Sequence, residues 1–218
     1  MAKKRLKKGA FITFEGPEGS GKSLQSLMLL DHLKRGGFSC VHTREPGGTR
    51  LGERIRTILL DPDSGLAIND MAELFLFEAC RAQVTEEIIR PAIEKKKIVL
   101  CDRFGDATVA YQGYAGGLDP AMIQKLNMIA TGGTKPDLTI LLDVDVKIGL
   151  SRAKIKTVDR MEKKAISYHR LVHRGYLRLA GEYPSRFRVV RVEGTIDQVH
   201  QNVRREVERY LRTIETSR

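Results

Sequence analysis

Apolar positions fall along this chain in two rhythms. Five short runs are continuously apolar and rich in β-branched residues: AFITFE (10–15), SCVHT (39–43), KIVLCD (97–102), DLTILLD (137–143) and RVVRVE (188–193). Continuous rather than alternating apolar character marks strands covered on both faces, the condition of a parallel sheet. Between these runs apolar residues recur every three or four positions, which predicts helices over 22–35, 51–60, 70–95, 120–131, 146–155, 160–183 and 195–214. Arg90-Pro91 should kink or interrupt the third of them, because proline removes a helix donor and clashes with the preceding turn. The alternation predicts an α/β fold: one doubly wound domain over 9–215, with a five-stranded parallel sheet and helices on both faces. Ligands then gather beyond the carboxyl ends of the strands.

The loop after the first strand reads GPEGSGKS (16–23), and a leucine-bearing helix follows it. A loop between a strand and a helix N-terminus aims several unpaired N–H groups and the positive helix end at one spot. Gly16, Gly19 and Gly21 let a polyphosphate approach the main chain. Pro17, Glu18 and Ser20 complete the loop, Lys22 can reach the β- and γ-phosphates, and Ser23 can ligate Mg²⁺. In this strand-to-helix context the pattern G-x-x-x-x-G-K-[ST] marks a P-loop nucleoside-triphosphate site. Lys22 is expected to stand exposed there, packing against nothing. Asp102 ends the strand KIVLCD, where a carboxylate can hold Mg²⁺, often through water, and Arg103 projects into the same crevice.

Charge changes this picture in two places. The formal net charge of +11 is concentrated in residues 1–8, expected as a disordered basic tail, and in residues 147–178. A basic stripe points to phosphate partners, either nucleotides or nucleic acid, though a solvated helix face accounts equally well for much of 163–178. Cys40, Cys80 and Cys101 are scattered in apolar settings without metal-ligand spacing, which suits a reducing cytoplasm. No apolar run reaches the roughly 18 residues that a membrane span needs, and no apolar segment of signal-peptide type follows the basic start.

Two guanine-nucleotide signatures are decoys. DRFG (102–105) fits the D-x-x-G of a GTPase switch and TKPD (134–137) its base-reading motif, but TKPD precedes a strand instead of following one. Arg44, Arg56, Arg81 and Arg103 lie at strand ends or on helices leaving them. One triphosphate with its metal does not need four further guanidiniums, whereas a phosphate-bearing acceptor does. The segment SRAKIKTVDRME (151–162), with Arg152, Lys154, Lys156 and Arg160, reads as a cationic lid over the triphosphate.

From FITFEGPEGSGKS through TREPGGT, RAQV, DRF, AYQG and KPDLTILLDV to DRME, the chain resembles the thymidylate kinase family over nearly its whole length. The resemblance implies a nucleoside monophosphate kinase-like fold with a lid, the reaction ATP + dTMP → ADP + dTDP with Mg²⁺, a role in dTTP supply, and a cytoplasmic homodimer without membrane or stable nucleic-acid partners. Lys22, Glu18, Asp102, Arg103 and Arg152 would be the catalytic groups, and Ser23 and Asp102 would hold the metal. Residues 16–23 would bind ATP together with Arg152, Lys154 and Lys156. Glu18 would reach the acceptor 3′-hydroxyl, and Arg44, Pro46, Arg56 and Arg103 would surround the acceptor phosphate. Phe77 would stack on thymine, Arg81 would meet its O4, Thr108 and Gln112 would add polar base contacts, and Tyr111 would disfavour a ribose 2′-hydroxyl. Gly19 after Glu18 places the chain with members whose lid supplies the cations, although Lys154 and Lys156 stand where arginine is common. The Glu45-Pro46 peptide is expected to be cis, bringing Arg44 back over the acceptor. Two alternatives stay open: another nucleoside or nucleoside monophosphate kinase, and a nucleic-acid-dependent P-loop ATPase.

Overall fold

The computed structural model describes residues 4–62, 65–153 and 160–216. Strands β1 (Ala10–Glu15), β2 (Cys40–Arg44), β3 (Ile98–Asp102), β4 (Leu138–Asp143) and β5 (Phe187–Arg191) form one parallel sheet in the order β2-β3-β1-β4-β5. All five lie within about two residues of the runs that predict them. The helices are α1 (Lys22–Arg35), α2 (Arg50–Leu60), α3 (Asp70–Val84), α4 (Arg90–Glu94), α5 (Gly105–Thr108), α6 (Pro120–Ala130), α7 (Val146–Ala153), α8 (Ile166–Glu182) and α9 (Ile196–Ile214).

Alternation along the strands divides the core between the two faces. Ile12, Phe14, Leu100 and Ile140 meet Leu29 and Leu33 of α1 and the Val199-Val203-Val207-Leu211 stripe of α9. On the other face Phe11, Val99 and Cys101 meet Val84 and Ile89, while Leu141 meets Val172, Tyr176 and Leu179 of α8. Every residue of β1 and β3 is buried, which explains their unbroken apolar runs. Parallel pairing aligns Phe14 with Asp102 and Glu15 with Leu141, so the functional loops leave the sheet along one edge.

Four local differences from the sequence reading have physical causes. The expected helix over 70–95 is continuous past Val84, but one π-helical turn (Thr85–Ile89) precedes Arg90 and Pro91. The wider turn accommodates the missing proline donor, so the interruption comes ahead of the proline. Residues 105–115 form α5 and a π-helical segment (Val109–Ala115) that the sequence reading left unassigned. The helix expected from 160 begins at Ile166, because Arg160 is held in a turn by the carbonyls that end α2. Residues 4–8, expected as part of a disordered tail, pack onto the fold. Leu6 is buried and pairs with Glu215, the Lys4 amide donates to the Gly37 carbonyl, and Lys8 pairs with Asp137 at 2.7 Å. One leucine among the cations outweighs the charge of the run.

Candidate active site

The loop between β1 and α1 is built by close backbone approach. Gly19 has φ +65°, and a Cβ there would lie 1.9 Å from the Gly149 carbonyl oxygen of α7. No side chain fits, so the P-loop is bare where α7 crosses it. Gly21, at φ +88°, leads directly into α1. Lys22 is not exposed, contrary to expectation: it is 7% accessible, with its ammonium donating to the carbonyls of Gly16 (3.0 Å) and Pro17 (2.8 Å) and lying 3.3 Å from the Ser20 hydroxyl. Burial first, then the charge of Arg103, lowers the Lys22 pKa to about 8. The loop carbonyls occupy the ammonium where phosphate oxygens would be stronger acceptors. Ser23 donates a short hydrogen bond to Asp102, so a hydroxyl and a carboxylate from two elements converge at the helix start.

Arg103 follows β3 at φ +66°, in the left-handed region that costs a residue with a Cβ about 1–2 kcal/mol. That backbone turn brings the guanidinium under the P-loop, where it donates to Glu18 Oε1 at 2.8 Å. The Tyr111 hydroxyl donates to the same oxygen at 2.6 Å. Burial alone would raise the Glu18 pKa, but Arg103 and then Lys22 outweigh it and bring the carboxyl down to about 2. Behind Arg103 the Tyr176 hydroxyl donates to Glu15, and the Phe104 amide donates to the other oxygen of Glu15. Burial, followed by the nearby Asp106 charge, pushes the Glu15 pKa up to about 8.

A cavity of about 520 Å³ joins these groups to residues of β2, α2, α3 and the 105–115 segment. Glu18, Gly19, Gly21, Lys22, Ser23, Asp102 and Arg103 form one end of it. Arg44, Pro46, Arg56, Phe77, Arg81, Thr108, Tyr111 and Gln112 also line it, and Arg152 of α7 reaches the same space. Gly16, Pro17 and Ser20 stand behind the loop, facing Lys22. Lys154 and Lys156 lie outside the described residues. The Glu45-Pro46 peptide is cis, as expected, and the Pro46 carbonyl accepts from Arg56 at 2.8 Å. Arg44 is half exposed and pairs with Glu53 at 2.9 Å.

Arg81 is 1% accessible and each of its three guanidinium nitrogens donates to a partner. Its Nε donates to Glu45 at 3.0 Å and its Nη1 to Glu78 (2.7 Å) and Asn127 (2.6 Å). Its Nη2 donates to Thr108 (2.8 Å) and meets Glu45 at 2.8 Å. Burial, opposed by Arg81, pushes the Glu45 pKa up to about 7, and burial likewise raises that of Glu78.

Sequence reasoning missed Glu45, Glu78 and Asn127 as partners of Arg81, and Glu15 and Tyr176 as support for Arg103. The i, i+3, i+4 spacing of Thr108, Tyr111 and Gln112 was a signal for the missed helix. TKPD lies at the start of β4, where Asp137 accepts from the Phe11 amide at 2.9 Å, at the opposite end of the sheet from the P-loop. It reads no base.

The comparisons agree with this geometry. A family model described as "Thymidylate kinase" matches residues 14–203. A thymidylate kinase of Desulfovibrio desulfuricans is 46% identical over 210 residues, covering 93% of this chain and 96% of that protein. One of Geotalea uraniireducens is 49% identical over 189 residues, covering 84% and 88%. The crystal structure of thymidylate kinase from Ehrlichia chaffeensis superposes with a TM-score of 0.74 at 35% identity, covering 92% of this chain and 99% of that one. With its P-loop and sheet order in place, the chain belongs to the thymidylate kinase family.

Proposed function

We propose that the chain transfers the γ-phosphoryl group of ATP directly to the phosphate of dTMP, with the cavity residues in the following roles. Membership of the family carries the reaction, a thymidylate kinase phosphorylating dTMP. The observation that supports the residue assignment is one cavity that joins the P-loop to Arg44, Arg56, Phe77, Thr108 and Gln112.

Chemistry of this class needs positioning and charge stabilisation, with no covalent intermediate on the protein. The loop amides and Lys22 hold the β- and γ-phosphates, and Lys22 exchanges its carbonyl partners for phosphate oxygens. Arg103 keeps one nitrogen on Glu18. Its other, only 3.4 Å from the Gly16 carbonyl and 3.3 Å from the Tyr176 hydroxyl, is free to turn to the transferring group. Glu18 stays ionised and accepts from the acceptor 3′-hydroxyl. Arg44 and Arg56 hold the acceptor phosphate, and Phe77, Arg81, Thr108, Tyr111 and Gln112 surround its nucleoside. Arg152 contacts ATP from α7, and the segment 151–162 serves as the lid.

Ser23 and Asp102 fit Mg²⁺. Among the described residues no three His, Cys, Asp or Glu cluster to hold a metal alone, and a hydroxyl beside one carboxylate is the donor set of an ion shared with phosphates. Bound there, Mg²⁺ neutralises charge on the β- and γ-phosphates.

A homodimer is supported by Leu51 and Ile58 of α2, Phe75 of α3, and Met128 and Ile129 of α6. All are large, exposed apolar side chains on neighbouring helices. Light scattering should give twice the 24.5 kDa chain mass. Among the described residues no helix is long and apolar enough to cross a membrane, and all three cysteines are free, which supports a cytoplasmic setting. The decisive experiment is coupled ADP release with dTMP, dUMP, dCMP, dGMP and AMP. We expect dTMP to be preferred, and turnover that DNA stimulates and dTMP does not would overturn the reading.

A further inference from the structure

Glu73 of α3 plays no part in the assignment above, yet it is buried at 7% accessibility against the cavity wall. Its two oxygens serve two different neighbours. Oε1 accepts from Gln112 Nε2 at 2.7 Å, and Oε2 accepts a short hydrogen bond from Arg160. Gln112 is itself 4% accessible and lines the cavity. Arg160 is fixed from the other side by the carbonyls that end α2, its Nε donating to Leu59 at 2.9 Å and its amide to Leu60 at 3.2 Å.

A carboxylate only accepts hydrogen bonds, so the nitrogen of the Gln112 amide has to face Glu73. The amide cannot flip without setting its oxygen against a charged oxygen. Gln112 Oε1, an acceptor, is then the atom left for a base. The pairing with Arg160, itself anchored on the carbonyls that end α2, keeps Glu73 in place. Thymine carries a donor at N3, whereas N3 of cytosine is an acceptor.

We propose that Glu73 is a positioning residue for base choice: held by Arg160, it fixes the Gln112 amide so that the acceptor pocket offers an oxygen and favours thymine over cytosine. This rests on the reading of Gln112 as an acceptor-side residue. Recognition thus runs from Arg160 at the end of the lid segment, through a carboxylate on α3, to an amide on the π-helical segment.

The test compares kcat/KM for dTMP and dCMP across four variants. Glu73→Gln gives Gln112 a partner that donates as well as accepts, so the amide can turn. The dTMP/dCMP ratio should narrow roughly 5- to 100-fold, the range set by a buried polar mismatch. Glu73→Asp stays acceptor-only and should keep most of the ratio while lowering both rates. Arg160→Met removes the group that holds Glu73 and should also narrow the ratio. Gln112→Ala examines the underlying reading: if it leaves the ratio unchanged, Gln112 does not face the base, and the proposal fails with the reading. If Gln112→Ala narrows the ratio and Glu73→Gln does not, the reading stands and the proposal alone is overturned. Equal narrowing by Glu73→Asp and Glu73→Gln also overturns it, because loss of packing would then explain both. Should Glu73→Gln fail to fold, the double variant Glu73→Gln with Arg160→Met, which removes both charges of the pair, carries the same comparison.

Discussion

Arg103, partly buried, and Arg81, fully buried, both stand on the wall of one cavity, and their surroundings differ. Arg103 has one carboxylate partner, Glu18, which itself faces the cavity, and its remaining contacts are long. Arg81 has two carboxylates, an amide and a hydroxyl, and every one of its guanidinium nitrogens is engaged. The two sets of carboxylates respond in opposite ways. Arg103 and Lys22 overcome the burial of Glu18 and hold it ionised, whereas burial prevails at Glu45 and raises it to about 7. Two carboxylates share Arg81, so the charge of one guanidinium is divided between them. On the proposed roles, Arg103 has weaker contacts it can exchange during the reaction, while Arg81 has partners it keeps.

The largest effects should come at the phosphate end. Lys22→Ala and Arg103→Ala should each lower kcat by about 10²–10³-fold or more, the usual loss for one preorganised donor, with circular dichroism unchanged. Because Arg103 sits at φ +66°, Arg103→Gly should be about 1 kcal/mol more stable than Arg103→Ala while equally inactive. Retention of more than a few per cent of activity by Lys22→Ala would remove Lys22 from the mechanism. An Arg103→Ala loss confined to KM would make that residue a binding group and weaken the contrast.

At Arg81 the first consequence should be for the fold. Arg81→Met leaves Glu45 and Glu78 buried without their cation, which costs about 3–5 kcal/mol. For a chain of this size that is a fall in Tm of very roughly 10 °C. Thr108 accepts from Arg81, so its own proton is left to donate, and base discrimination by Arg81 would act through that hydroxyl. The dTMP/dCMP ratio in kcat/KM should therefore narrow, by less than the loss in stability suggests. An unchanged ratio with the full loss of stability would make Arg81 a structural residue, and an equal fall for both substrates would place it on the phosphate.

This contrast marks how far the sequence could be read. The five strands and the P-loop were legible because each is local: an apolar run bounded by turns, or glycines at fixed offsets before lysine and serine. Candidate cavity residues were legible as types, and the described ones meet where strand ends predict. What stayed hidden depends on partners distant in sequence. Asn127 reaches Arg81 across 46 positions, and Tyr176 reaches Glu15 across 161. The burial of Lys22 was hidden for another reason, since the carbonyls that hold it are backbone and leave no mark on residue type. The π-helical segment was hidden by its glycine, Gly113, and by reading for strand ends alone.

pH separates the two regions with smaller effects. Glu15 and Glu45 have pKa values raised in the folded state, to about 8 and about 7, from an ordinary 4.5. The folded protein thus holds protons that the unfolded chain has released. Their contribution to stability is full below pH 4.5 and is lost as pH rises through 7 and 8. Glu18 has the opposite sign, contributing above pH 4.5 and losing its contribution only as pH falls toward 2. Melting temperature should therefore decline between pH 5 and 8.5. Glu45→Gln should flatten the part of that decline up to pH 7, and Glu15→Gln the part up to 8. A wild-type curve that is level over this range would mean that Arg81 holds Glu45 ionised, and the contrast between the two arginines would disappear.

The smallest effect should be at Arg44, the solvated counterpart of both arginines. Glu53 accepts from Arg44 at 2.9 Å and from the Gly48 amide at 2.8 Å, in a pair that is about half exposed. Exposed ion pairs are worth at most about 1 kcal/mol, so Glu53→Gln should barely move Tm. Its effect on dTMP has two opposing parts. Glutamine keeps an oxygen for the Gly48 amide, so the turn survives, while its NH2 cannot accept from Arg44; the guanidinium is released, and the loss of a negative charge removes repulsion from the incoming dianion. The charge should win at low ionic strength, lowering KM for dTMP about twofold with kcat unchanged, and the gain should vanish near 1 M salt, where the screening length falls to about 3 Å. Glu53→Ala loses the acceptor for the Gly48 amide as well and should raise KM at every salt concentration. If both variants raise KM equally, Glu53 acts by holding Arg44 in place, and even the exposed arginine depends on a fixed partner as Arg81 does.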